Sequence, residues 1–211
     1  MSSFAVTPES TFIETFSTGI QLSNLKDSKL ISDLLKYAFE VRQKHPKGTV
    51  NSNILGYQSP TLEDEILKQM MQKMHADIEK YLMNLKFSTP FEIHYDSPWI
   101  NISGKYHSNK EHHHGNADFS AVCWLQVNQD TGGIVFKNPN PTHSMRKVWL
   151  SKFDEYKACN SGEYTYYPDC GDFAIFPGDL KHEVQPNKSD QERVSIAYNF
   201  NVVQKNTLTS K

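Results

Sequence analysis

The sequence predicts a mainly β fold with N-terminal helices, an α+β chain whose second half is a sandwich or a jelly-roll barrel. Helical periodicity is confined to the part before about residue 88. After residue 90 come short runs rich in β-branched and aromatic residues, and clusters of Gly, Pro, Asn and Asp separate them. At 211 residues the chain suits one domain built as a large β-sandwich or barrel. The expected organisation is a single domain over 1–211, with a helical support layer at 1–88, a β core at 89–203 and a flexible tail at 204–211.

The first helix is read from Leu30, Ile31, Leu34, Leu35, Ala38 and Val41, which recur at helical spacing. Asp27 or Ser28 can cap it and Pro46 stops it. A second helix is expected after Ser59-Pro60-Thr61, with Thr61 and Asp64 resembling a capping box and Ile66, Met70, Met74, Ile78 and Leu82 forming its apolar stripe. Those methionines read as core filler. The strands follow as FEIHY, WINIS, FSAVCWLQV, GIVF, EYTYY, DFAIF and RVSIAYNFNVV. Their turns fall at 130–133, 138–141, 160–162 and Pro177-Gly178.

The formal net charge of -2, with Lys and Arg scattered, provides no basic stripe for a phosphate backbone. No apolar run approaches the ~20 residues that cross a bilayer, and the first residues lack a secretory layout, so a cytoplasmic, non-membrane protein is expected. Cys123, Cys159 and Cys170 are an odd number without CxxC spacing and read as reduced, structural thiols.

Three of the nine histidines stand together at His112, His113 and His114, inside the chain. In an extended segment His112 and His114 share a face, so two imidazoles can grip one ion, although histidine-rich surface loops also occur. His182 follows an apolar run and a Pro-Gly turn, and opens a short HEV strand. In the last run, alternation puts Arg193, Ser195, Ala197 and Asn199 on one face and Val194, Ile196 and Tyr198 on the other. An Arg and a hydroxyl so placed suit the carboxylate of a small dicarboxylate, and an edge Arg paired with a surface acid is the plainer alternative.

Read together, H-x-H, GGIVFKNP, FPGDLKHEVQP and RVSIAYNFN resemble the iron and 2-oxoglutarate oxygenases of the double-stranded β-helix (jelly-roll, cupin-like) class. More narrowly, they resemble an uncharacterised branch common in bacteria and marine phages, with the pattern W-x-N, H-x-H, F-P-x-x-L-x-H and R-x-S. Gly56-Tyr57-Gln58-Ser59 also matches that branch's Gly-Trp-Gln-Ser segment. The resemblance implies that His112, His114 and His182 ligate Fe(II), and that Arg193 and Ser195 hold the co-substrate 2-oxoglutarate. It implies hydroxylation by O2 with release of succinate and CO2. Tyr106 and Trp124 are the expected pocket-lining aromatics, Tyr106 on the co-substrate side and Trp124 equally readable as core packing.

The chain departs from the pattern at three places. Most of the wider class has His-x-Asp or His-x-Glu where this chain has His114, and Asp118 is the alternative ligand. Ala121 replaces the usual glycine after Ser120, and the stretch from Tyr106 to His112 is longer. Two rival expectations are a three-histidine cupin-like metal enzyme that does not use 2-oxoglutarate, and a catalytically silent binding module on the same fold. The primary substrate is left open between protein side chain, nucleobase and metabolite, with specificity expected from 138–144 and 151–162. A monomer or homodimer is expected.

Overall fold

The computed structural model describes residues 17–87, 90–140, 157 and 161–205. At its centre runs β12 (Arg193–Gln204), which pairs along one side with β7 (Phe119–Gln126) and along the other with β5 (Trp99–Ser103) and then β4 (Phe91–Tyr95). β10 (Asp172–Pro177), β1 (Gln21–Asn24) and β3 (Tyr57–Gln58) complete this major sheet in the order β1-β10-β7-β12-β5-β3. A second sheet has the order β2-β6-β11-β8-β9, from β2 (Asn53–Ile54), β6 (Ser108–His112), β11 (His182–Val184), β8 (Ile134–Lys137) and β9 (Glu163–Tyr166). All the pairings are antiparallel. This is the jelly-roll expected from the sequence.

Period-2 alternation gives the major sheet two different faces. Val194, Ile196, Tyr198 and Phe200 of β12 are completely buried in a core shared with Leu34, Ala38, Met70, Met74 and Ile78 of the two helices, α1 (Ser28–Lys44) and α2 (Glu65–Asn84). Cys123 lies in this core as a free thiol, and burial pushes its pKa up. The opposite face packs a smaller cluster of Trp124, Phe176 and Ala174 against Ile134 and Phe136 of the second sheet. The helices therefore seal one face of the major sheet, and the second sheet covers the other.

Helix α1 starts where expected, because the Asp27 carboxylate accepts from the Leu30 N–H at 3.0 Å and satisfies one orphan donor of the first turn. Helix α2 corrects the reading of its start. Asp64 stands at its N-cap without a side-chain capping bond, and its carboxylate instead accepts from the Tyr37 hydroxyl of α1. Thr61 lies ahead of the helix, and Leu62 N–H bonds to Pro98 O at 2.9 Å. A helix-to-helix bond has taken the group that the capping box required.

The segment expected to be purely helical also supplies β1, β2 and β3. These are short pieces at sheet edges, two of only 2 residues, with no alternation of their own to announce them. Gln204 is the last residue of β12 and not the first of a tail. Cys159, most of the two expected specificity loops and residues 206–211 lie outside the described residues. Among the described residues no helix is long and apolar enough to cross a membrane.

The Asp27 cap is worth about 1 kcal/mol by the usual cost of removing such a residue. Asp27→Ala should lower the urea midpoint correspondingly with an unchanged m-value, and an unchanged midpoint would show that the cap contributes nothing.

Candidate active site

Strand pairing brings distant histidines together. His182, the first residue of β11, is in register with His112 at the end of β6. His114 lies two residues beyond β6, in a turn held by Gly178: His114 N–H donates to Gly178 O at 2.6 Å, and Gly178 N–H to Asp118 O at 2.8 Å. A Cβ on Gly178 would stand 2.1 Å from Ala117 O, so only glycine admits this approach. The Pro-Gly turn before His182 thereby also positions His114.

One donor atom from each of His112, His114 and His182 lies within 4.8 Å of the other two. The Nδ1 atoms of His112 and His182 each lie 2.8 Å from a backbone oxygen, Lys110 O and Leu180 O respectively. A neutral imidazole can donate there only with Nδ1–H, which leaves Nε2 as a lone-pair donor toward the cluster. Burial, reinforced by the neighbouring imidazoles, lowers the pKa of His114 to about 4 and that of His182 to about 3, and burial also lowers His112. Three neutral imidazoles at this spacing fit a divalent transition-metal ion.

Asp118 is not part of the cluster. Its Oδ2 accepts from the Val202 N–H at 2.9 Å, and its own N–H donates to Asn201 Oδ1 at 3.0 Å, which secures the end of β12.

The cluster opens into a cavity of about 660 Å³ that is also lined by Arg193, Ser195 and Trp124. Arg193 is only 4% exposed. Its Nη1 donates to Thr131 O and to Gln185 O, the latter at 2.9 Å, and its Nη2 is buried with no partner among the described residues. Gly132, with φ +75°, lets the 130–133 turn close on residues 185 and 186 so that one guanidinium reaches both carbonyls. No carboxylate pairs with Arg193 among the described residues, and burial brings its pKa down to about 10. A buried cation left without an anion costs free energy that a bound anion would recover.

Of the expected residues, His112, His114, His182, Arg193, Ser195 and Trp124 all line this cavity, Trp124 doubling as core packing. Tyr106 does not. It is 65% exposed in a turn with φ +66°, beneath the Lys105 ammonium, because Asn187 ties that turn down through the Tyr106 N–H. Sequence reading missed Gln58 and Thr61 as cavity walls and the closeness of Trp99, whose ring centroid is 5.7 Å from that of His114. The W-x-N and Gly-Tyr-Gln-Ser matches were the available signals.

Residues 97–199 match the sequence model of a family described as "Putative 2OG-Fe(II) oxygenase". The family resemblance read from the motifs is borne out. The matched stretch contains the three histidines, Arg193 and Ser195. No curated protein sequence matches the chain.

Among solved structures, the chain is similar to a Pseudomonas putida prolyl-4-hydroxylase at 15% identity and a TM-score of 0.57, over 89% of this chain and 94% of that one. It is similar to the non-heme alpha ketoglutarate dependent epimerase SnoN from nogalamycin biosynthesis at 12% identity and a TM-score of 0.63, over 92% and 83%. It is also similar to HygX from Streptomyces hygroscopicus, solved with nickel, 2-oxoglutarate and hygromycin B, at 10% identity and a TM-score of 0.61, over 88% and 83%. These likenesses establish the shared fold.

The lowered histidine pKa values have a consequence for the metal-free protein. The unfolded chain takes up protons near the ordinary value of 6.5, and the folded His114 and His182 do so only near 4 and 3. Stability should therefore be unaffected by these groups above about pH 6.5 and fall as the pH drops through that window. His182→Gln should flatten that fall in urea titrations between pH 7 and 4. A stability difference between the two proteins that is independent of pH would contradict it.

Proposed function

We propose that the protein is an Fe(II)- and 2-oxoglutarate-dependent dioxygenase that hydroxylates its substrate with release of succinate and CO2. The observation that carries this reading is the buried guanidinium of Arg193, without a counter-ion among the described residues, on the wall of the cavity that holds the three histidines. Such a cation suits an anionic ligand, and 2-oxoglutarate is the anion to which the family match points.

In this reading His112, His114 and His182 hold the metal through Nε2. When bound, Fe(II) with 2-oxoglutarate activates O2 for attack on an unactivated C–H bond. Arg193 pairs with the far carboxylate of 2-oxoglutarate, its free Nη2 supplying the charge-assisted bond, and the Ser195 hydroxyl stands beside it. Trp99 and Phe176 flank His114 and His182 with centroid separations of 5.7 and 4.9 Å. The family match supports this assignment over 97–199, and the hydroxylase and epimerase neighbours show that the fold serves more than one outcome.

Anaerobic addition of Fe(II) and 2-oxoglutarate should give a visible metal-to-ligand charge-transfer band. The band should be lost in His114→Ala and retained in Asp118→Ala. Its absence in folded wild-type protein would sink the oxygenase reading, and the reverse pattern in the variants would move the second ligand to Asp118.

Arg193→Met should weaken 2-oxoglutarate binding by about 2–3 kcal/mol in calorimetry, the worth of a buried hydrogen bond to a charged group. The ligand-free variant should keep its stability to within about 1 kcal/mol, because it removes an uncompensated buried charge. Unchanged affinity would contradict the anchor.

A further inference from the structure

The Gly56-Tyr57-Gln58-Ser59 segment has no role in the chemistry so far described, yet it forms one side of the cavity. Gln58 of β3 is in register with Asn101 of β5, Asn101 with Ser195 of β12, and Ser195 with Trp124 of β7. Residues in register across antiparallel strands point to the same face. All four line the cavity.

Gln58 is only 9% exposed. Among the described residues its side-chain amide has no hydrogen-bond partner, and neither does that of Asn101; the backbone carbonyl of Gln58 accepts from Thr49 N–H at 2.8 Å and from the Thr49 hydroxyl at 3.4 Å. The backbone around it is fixed. Ser59 N–H donates to Ile100 O and Ile100 N–H donates to Ser59 Oγ, both at 2.9 Å, and a Cβ on Gly48 would stand 2.5 Å from Gln58 O. A side-chain amide that lines a cavity from a backbone so held, with no partner among the described residues, is free to bond to what the cavity holds.

Two further facts say what that is. Neighbouring strands are ~4.8 Å apart, so Gln58 lies on the order of 10 Å across the sheet from Ser195, beyond Asn101 and away from the co-substrate anchor. No Asp or Glu lines the cavity among the described residues, and its fixed charges are Arg193 and Lys110. A cationic substrate group would enter with no counter-charge beside an existing guanidinium.

We infer that Gln58 is the specificity-determining contact for the primary substrate, receiving an uncharged group that presents a hydrogen-bond donor and acceptor side by side, as a carboxamide does. The inference rests on the oxygenase reading for the position of the co-substrate. The amide carries one acceptor and two donors and complements such a group in a paired fashion. At about 660 Å³ the cavity is within the range that holds a small-molecule ligand, with space beyond a five-carbon dicarboxylate.

The test uses the full chain loaded with diamagnetic Zn(II) and 2-oxoglutarate, and two probes of equal size, propionamide and propylammonium, followed by saturation-transfer NMR. Wild-type protein should bind propionamide and not propylammonium. Gln58→Leu should weaken propionamide at least fivefold and leave 2-oxoglutarate affinity within twofold. The near-isosteric Gln58→Glu should reverse the preference toward propylammonium and guards against a folding defect in the leucine variant. Equal propionamide binding by Gln58→Leu and wild type, or a parallel loss of 2-oxoglutarate affinity, overturns the inference. Failure of wild-type protein to bind 2-oxoglutarate overturns the oxygenase reading instead, so the two failures are separable.

Discussion

The structure depends on the two-sidedness of β12. Its even-numbered residues from Val194 to Phe200 are completely buried against the helices, and Arg193, Ser195 and Ala197 line the cavity. A one-residue slip of this strand would drive a guanidinium into the helix-covered core and four large apolar side chains into the cavity. The apolar face thus fixes the register, and the register places the polar face. Stability and site geometry are consequences of the same alternation.

On the polar face the chain retains features that cost stability. Arg193 is buried with two backbone carbonyls for partners and no acid among the described residues, and three imidazoles are crowded together, their pKa values pulled down by burial. Each is unfavourable in an empty pocket and favourable in a filled one. A third neutral imidazole in place of a carboxylate also leaves the proposed metal site one unit more positive than the usual facial triad. Among the described residues the cavity walls carry amides and hydroxyls but no acids.

The β core was legible because its strands alternate and its turns are punctuated by Gly, Pro, Asn and Asp. The third member of the histidine cluster was legible because His182 follows an apolar strand and a Pro-Gly turn. Less visible were the contributions of the N-terminal third. β2 and β3 are two-residue edge pieces, too short for any periodicity, and pairing partners some fifty residues away in sequence hold them. Tyr106 was misplaced for a related reason: a bond from Asn187, not the neighbouring sequence, decides which way that turn faces.

By itself the sequence determined which residues share a face, since alternation and helical spacing are local properties of the chain. It thereby set the core, the inward placement of Arg193 and Ser195, and the family resemblance. Only the tertiary structure decided which faces meet. It put His182 opposite His112, used Gly178 to position His114, tied Asp118 to the end of β12 and left the amide of Gln58 facing the cavity. Those outcomes follow from long-range strand register and backbone hydrogen bonds, which depend on distant partners and leave no mark on local composition.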